Sequence, residues 1–172
     1  MVPFFIGVRG GIKVNKAIKF IERLQMGIGV LFLSLFFVVI IIQIVTRHLG
    51  ISVIWTVEVA TNSFIWAILM GAAVMVNRRE HFNFNLLEKK LTKKKKVMLA
   101  IVNDTLLILF NAAIFVYGLR VTQEFWNYNW TSLPSLKMGY IWIAIPIMSF
   151  TMVLYSLSHI VNHIKILREK GE

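Results

Sequence analysis

Four long apolar runs dominate this sequence and restrict what it can fold into. They cover residues 24–46, 55–76, 97–119 and 138–161, and the first contains no charged residue. Each run is long enough to cross a hydrocarbon core of about 30 Å, which needs about 20 helical residues. Only 16% of the chain is charged, against about 25% in an average soluble domain. We therefore predict an all-α integral membrane protein with four transmembrane helices, forming a single membrane domain over residues 1–172.

Lysine and arginine lie almost entirely on one side of these predicted spans. Of the 19 basic residues, 16 precede the first run, follow the last, or lie between the second and third. Because positive residues mark the cytoplasmic side of a membrane protein, both termini are predicted to be cytoplasmic. Residues 162–172 are then a cytoplasmic tail and residues 121–137 an outer loop. Since the cations are spread over the ends of spans, the net charge of +11 does not indicate nucleic-acid binding.

Two segments on the cytoplasmic side are predicted to lie along the membrane surface. In residues 12–23 the apolar positions recur with helical spacing, and the basic positions lie on the rest of the helix surface. This pattern is typical of an amphipathic interfacial arm helix. Residues 81–91 form a second, less regular candidate arm. A basic residue near anionic lipid contributes about 1 kcal/mol of membrane affinity. The residues expected to anchor the chain to the inner leaflet are Lys13, Lys16, Lys19, Arg23, Lys93, Lys94, Lys95 and Lys96.

Ionisable residues inside membrane spans are functional candidates, and two acids occur there. Glu58 lies roughly 6 Å inside the outer end of the second span, and Asp104 roughly 10 Å inside the inner end of the third. We interpret Glu58 as a structural ion pair or hydrogen bond, with Arg47 as a candidate partner, in preference to a coupling-ion site. Asp104 is interpreted as a contact between helices or subunits. The candidate packing or partner contacts are Arg47, Trp55, Glu58, Asn62, Asp104 and Asn111.

The sequence contains no pattern that predicts catalysis. A membrane haem commonly needs histidines on two facing helices, but His159 and His163 share one span, without an obvious third ligand for a metal. We predict no catalytic residue, cofactor or metal, and no enzymatic activity. Autonomous transport is also disfavoured, because carriers build their sites near the midplane from interrupted helices. Pro146 is expected to kink the fourth span.

Several residues nevertheless occur in a familiar order. Arg47 closes the first span, Trp55-x-x-Glu58 opens the second, and Gly71–Ala72 lie near its end. The later elements are the stretch Arg78–Arg79–Glu80–His81–Phe82–Asn83–Phe84–Asn85–Leu86–Leu87, then Pro134, then Ile145–Pro146. Over residues 24–161 this arrangement resembles the small membrane subunit (DctQ-like, Q subunit) of the tripartite ATP-independent periplasmic (TRAP) transporters.

The resemblance implies a small scaffold subunit, or stator, in the bacterial inner membrane. Its partners would be a large multi-span transport subunit, a periplasmic substrate-binding protein and anionic lipids. The complex would import an organic acid, of the sialic acid or C4-dicarboxylate class, coupled to sodium. The outer aromatic loop then becomes a candidate docking surface for the binding protein, with the residues Arg47, Glu58, Trp126, Tyr128 and Trp130.

Two other functions fit a four-span chain. One is a membrane-anchor subunit of a respiratory or other enzyme complex. The other is a small self-assembling exporter, a class that typically carries an essential glutamate deep in its first span, where this chain has only Gln43.

Overall fold

The computed structural model describes residues 16–79 and 93–169. Its helices are α1 (Lys16–His48), α2 (Trp55–Arg78), α3 (Lys93–Phe125), α4 (Gly139–Trp142) and α5 (Ala144–Glu169). Four helical stretches, with α4 and α5 counted together, are long and apolar enough to cross a membrane. This confirms the predicted all-α fold with four membrane-crossing helices. The candidate second arm, residues 81–91, lies outside the described residues, as do residues 12–15 of the first.

The described part of the first predicted arm is continuous with the first span. Residues 16–23 form the first two turns of α1, which then runs to His48 over 33 residues. No proline lies in this stretch, and the first glycine is Gly27, so nothing in the local sequence interrupts the helix. At 1.5 Å per residue α1 is about 50 Å long, which exceeds the hydrocarbon thickness and leaves its basic first turns beyond it.

The helices pack in the order α1, α2, α5, α3, so that α1 and α3 lie at the two edges. The buried core lies mainly where α2 meets α5, and its largest members there are Met70, Met148, Met152 and Tyr155. Isoleucines from the start of α1 cover one end of this core. Because consecutive spans run in opposite directions, the start of α1, the end of α2, the start of α3 and the end of α5 meet at one end of the bundle.

The edge helices expose most of their apolar surface. Only 6% of the most apolar stretch of α1 is buried within the chain, and 11% of that of α3, against 50% for the α4–α5 stretch. An apolar surface of this size does not remain in contact with water. Lipid or another membrane protein must therefore cover α1 and α3.

The hydrogen-bond ladder of the fourth span is interrupted at its proline. Ile143 lies between α4 and α5 with helical backbone angles, φ −63° and ψ −19°. The N–H groups of Ile143 and Ile147 bond the carbonyls four residues earlier at 3.0 and 3.3 Å, whereas Pro146 has no N–H to donate to the carbonyl of Trp142. The disturbance expected at Pro146 is therefore a missing bond within an otherwise helical span. The Ser149 hydroxyl donates 2.9 Å to the carbonyl of Ile145.

The outer loop is shorter than predicted and closed by backbone hydrogen bonds. α3 continues to Phe125, so the loop proper begins at Trp126. Tyr128 accepts a bond of 2.7 Å from the N–H of Met138, and Trp130 donates one of 2.9 Å to Leu136. Together with the antiparallel bridge between Asn129 and Lys137, these bonds fold the loop back on itself above α4.

Candidate functional site

At the outer end, Glu58 binds the loop that precedes α4. Its carboxylate accepts the backbone N–H of Thr131 at 2.9 Å and that of Ser132 at 2.7 Å. Glu58 lies in the first turn of α2, where the positive end of the helix dipole favours an acidic side chain. Thr56 stabilises the same turn by donating 2.7 Å to the carbonyl of Val53. The acid thus connects the start of α2 to a loop more than 70 residues later.

Glu58 and Arg47 line the same groove but the carboxylate binds other groups. The groove has a volume of about 870 Å³ and opens between the end of α1, the start of α2 and the outer loop. Gln43, Asn62 and Ser132 also line it. Among the ion pairs between described residues, none joins Arg47 to Glu58, whose oxygens are occupied by backbone amides. Arg47 remains exposed at the rim.

The aromatic residues of the outer loop fall into two groups. Trp126 packs against Gly139, whose added Cβ would collide with the indole, and its ring meets Tyr140 edge-on at 5.9 Å. The indole N–H of Trp130 donates 3.2 Å to the carbonyl of Lys137. Both tryptophans therefore stabilise the loop. Tyr128 is 58% exposed and projects an aromatic surface that a partner can contact.

At the inner end, an ion pair joins α2 to α3. Arg79 ends α2 in the left-handed conformation, with φ 58°, and its N–H caps the helix on the carbonyls of Met75 and Val76. Its guanidinium donates 2.6 Å to Oδ2 of Asp104, a carboxylate that is only 5% exposed. The imidazole of His159 on α5 lies 3.7 Å from the other oxygen of Asp104. Asp104 therefore contacts both the residue that caps α2 and a residue of α5.

A second acid joins α1 to α2 at the same end. Glu22 accepts 2.7 Å from Nε of Arg78 and 2.8 Å from the side-chain amide of Asn77. Because both partners belong to the last turn of α2, they hold the basic start of α1 against it. All four membrane-crossing helices are thus connected by polar side chains at the inner end.

One turn deeper, three buried polar side chains join α1 to α5. The amide nitrogen of Gln25 donates 2.8 Å to Oγ1 of Thr151, and its oxygen accepts 2.5 Å from the hydroxyl of Tyr155. Gln25 is 3% exposed and Tyr155 is fully buried. Because each group has a partner, the cluster avoids the cost of an unsatisfied polar atom in an apolar medium.

The six predicted contact residues separate into two places. Arg47, Glu58 and Asn62 line the outer groove, and Trp55 is the first residue of α2. Asp104 and Asn111 are buried on α3, and Asn111 donates 2.9 Å to the carbonyl of Leu107 one turn earlier. The predicted contact of Asp104 between helices is therefore present. Asn111 is bonded within its own helix.

Those predicted anchoring cations that belong to the described residues lie near the inner end of the bundle. Lys16, Lys19, Arg23 and Lys95 are exposed and Lys96 is half-buried. Lys93 and Lys94 begin α3, and Lys13 lies outside the described residues. The two histidines considered for a metal lie one turn apart on α5. Over residues 16–79 and 93–169, no three His, Asp or Glu side chains group where they would jointly hold a metal ion.

Sequence reasoning missed Glu22, Gln25 and Tyr155. Glu22 is the single acid in the basic first turns of α1, and Gln25 is one amide at the start of a run otherwise counted as apolar. Gln25 and Tyr155 had a signal, because an isolated polar group at membrane depth requires a partner. The identity of that partner depends on which helices are neighbours, and no local pattern contains this information.

Comparison with known proteins gives a family match and a similar relative. The family model described as the DctQ component of the tripartite ATP-independent periplasmic transporters matches residues 36–166. The chain is also similar to the sialic acid TRAP transporter small permease protein SiaQ of Vibrio cholerae serotype O1. The two are 27% identical over 152 residues, which cover 87% of this chain and 86% of the relative.

Proposed function

Because the chain belongs to the DctQ component family of the TRAP transporters, we propose that it is the fixed scaffold of a sodium-coupled importer of an organic acid. Membership makes it a small permease subunit of a multi-pass bacterial membrane transporter, and not an enzyme. It also decides against the two alternatives, an anchor for an enzyme complex and an autonomous exporter. The scaffold packs against a large transport subunit, which carries the substrate and sodium, and a periplasmic binding protein delivers the substrate.

The observation that supports this proposal is that polar side chains connect the parts of the bundle at both of its ends. Glu58 holds the outer loop, while Asp104 and Glu22 connect the inner ends of the helices. A subunit whose helices are joined in this way suits a stationary support, because relative movement of its spans would break charge-assisted bonds, among them the bond to the buried carboxylate of Asp104. The apolar faces of α1 and α3 remain available to lipid and the transport subunit.

The substrate class follows from the relative and from the family resemblance. The similar Vibrio cholerae protein is named for sialic acid, so a sialic acid is the first substrate to test and a C4-dicarboxylate the second. Both are carboxylates, and their recognition is assigned to the binding protein and the large subunit.

The orientation is proposed from the basic end of the bundle. Among described residues, Lys16, Lys19, Arg23, Arg78, Arg79, Lys95 and Lys96 belong to the helix ends that meet there. Positive residues mark the cytoplasmic side, so this end faces the cytoplasm, both termini are cytoplasmic, and the membrane is the inner membrane. The basic first turns of α1 and the lysines that begin α3 then contact the anionic inner leaflet.

The docking surface for the binding protein is proposed at the outer groove. Arg47 at the groove and Tyr128 on the adjoining loop are exposed and are assigned to direct contact. Glu58, Trp126 and Trp130 are assigned to positioning, because their polar atoms or rings are bound within the chain.

The test is reconstitution of the whole transporter. The chain, its large subunit and its binding protein are co-expressed, the two membrane subunits are co-purified in mild detergent, and uptake of sialic acid or succinate is measured in proteoliposomes with and without a sodium gradient. We expect sodium-dependent uptake only when all three components are present, and none from this chain alone. Uptake by the large subunit and binding protein without this chain would contradict the scaffold role, and co-purification with a dehydrogenase instead would contradict the transporter.

A further inference from the structure

A cavity at the inner end of the bundle is not used by the proposed function. It has a volume of about 320 Å³ and lies between the start of α1, the end of α2 and the last third of α5. That volume is about ten times the roughly 30 Å³ that one water molecule occupies in the liquid. The cavity is therefore large enough for a polar headgroup, and not only for a single ion or water.

The lining of this cavity is rich in hydrogen-bond donors. Side chains that can donate are contributed by Lys19 of α1 and by Ser158, His159, Asn162 and His163 of α5. The guanidinium groups that end α2 complete the wall, and each is paired with a carboxylate, Arg78 with Glu22 and Arg79 with Asp104. Lys19 takes part in none of the ion pairs between described residues. The lining thus combines one uncompensated positive charge with several neutral donors.

One lining residue carries a buried polar atom without a partner in the described structure. Nδ1 of His163 is buried and has no hydrogen-bond partner in the described structure. Buried polar atoms are nearly always bonded, so each exception calls for an explanation. Because this atom has almost no accessible surface, a ligand oxygen in the cavity reaches it only when the ring turns.

We propose that this inner cavity binds a phosphate group, and specifically the phosphodiester of a membrane phospholipid. A phosphodiester carries a single negative charge, which matches the one uncompensated charge of Lys19, and its oxygens accept bonds from the neutral donors. Free inorganic phosphate shares this chemistry. The lipid is favoured because exposed apolar residues directly adjoin the lining positions in sequence, namely Phe20, Leu157, Val161 and Ile164. Acyl chains can lie on these side chains while the headgroup enters the cavity.

The test is lipid binding to the purified full chain in mild detergent, measured by native mass spectrometry. The probe is phosphatidylglycerol, and the comparison is diacylglycerol, which has the same acyl chains without the phosphate. We expect retention of phosphatidylglycerol only, with affinity lowered about fivefold in Lys19→Gln, the loss expected for one cation near a lipid phosphate. Lys165→Gln is the control, since it removes an exposed cation near the same end of the bundle that does not line the cavity.

A second variant and a second probe separate the remaining outcomes. His163→Leu removes a lining imidazole without changing a paired charge, and we expect it to weaken phosphatidylglycerol binding while Lys165→Gln does not. Inorganic phosphate is added in parallel: binding that depends on Lys19, without lipid binding, would support the phosphate site with a free ion as its source. Equal losses in Lys165→Gln and Lys19→Gln, equal retention of both lipids, or no binding of either probe would overturn the proposal.

Discussion

The guanidinium of Arg79 donates a 2.6 Å hydrogen bond to the buried carboxylate of Asp104. Arg79 reaches it from a left-handed backbone conformation, which is uncommon for a residue other than glycine. Elsewhere α2 and α3 pack little on each other. This contact links the end of α2 to α3 at the inner end, and the same left-handed residue also caps α2 on the carbonyls of Met75 and Val76.

We expect Asp104→Asn to lower the free energy of unfolding by about 1–3 kcal/mol, because it removes the charged acceptor of a buried bond. Arg79 is itself 41% exposed, so its guanidinium can turn to water and the loss should fall in the lower half of this range. The measurement is denaturant unfolding in mild detergent, followed by helical circular dichroism. Arg79→Gln and the double variant complete a double-mutant cycle. Additive losses would contradict a direct interaction.

Glu58→Gln tests how the outer loop is held. A neutral amide keeps one acceptor oxygen but loses the charge and the second acceptor, and bonds to a charged group contribute about 1.5–3 kcal/mol. We expect hydrogen exchange at the amides of Thr131 and Ser132 to quicken about ten- to hundredfold. Glu124→Gln, at an exposed acid near the end of α3, is the control. Unchanged protection in Glu58→Gln would show that the loop is held by its own backbone bonds.

Gly118→Ala tests the close packing of α3 on the start of α5. A Cβ at this position would lie 2.9 Å from Cγ2 of Ile145 and 3.3 Å from Cδ of Pro146. Because the proline ring cannot move aside, we expect a loss of stability of about 1–3 kcal/mol, typical of overpacking. Gly71→Ala is the matched control, since its Cβ meets nothing within 4 Å. The measurement is again unfolding in detergent, and equal stability of the two variants would contradict the tight contact.

The spans were predictable because the bilayer imposes their length and forces the backbone to bond within each helix. The distribution of basic residues likewise predicted that the basic helix ends lie on the same side of the membrane. The partners of individual polar residues were not predictable. Glu58 binds amides 73 and 74 residues away, and these converge on it only because the loop folds back above α4. Arg47 was the candidate partner of Glu58 because the two lie at a similar depth. It lines the same groove but does not bind Glu58.

The same limit applies to the fourth span. Pro146 predicts the missing hydrogen bond in this helix, but it does not predict what packs on the turn before it. The docking of Trp126 on Gly139 is a tertiary feature. It follows from how the outer loop closes, which no helical periodicity encodes.

Introduced cysteines can show which edge of the bundle contacts the large subunit, because the chain contains no cysteine of its own. Val38 on α1 is 53% exposed and Val116 on α3 is 49% exposed, and each lies about 15 Å from the outer end of its helix. We expect Val38→Cys, carrying a photo-cross-linker, to form an adduct with the large subunit in the assembled complex. The face of Val38 includes the exposed small residues Gly27 and Ser34, which allow close approach of another helix. Adducts from Val116→Cys alone would place the interface on α3 instead.

Arg47→Gln tests docking of the binding protein at the outer groove. Arg47 is exposed at the groove rim, and an exposed rim charge acts mainly on the rate of encounter and on its salt dependence. We expect the concentration of binding protein needed for half-maximal uptake to rise about two- to tenfold, with subunit assembly unchanged and the difference shrinking at high salt. Arg120→Gln is the control, because this exposed cation lies over the ring of Tyr117 on α3, away from the groove. Equal effects of the two substitutions would mean that general surface charge attracts the binding protein, and docking at the groove would be rejected.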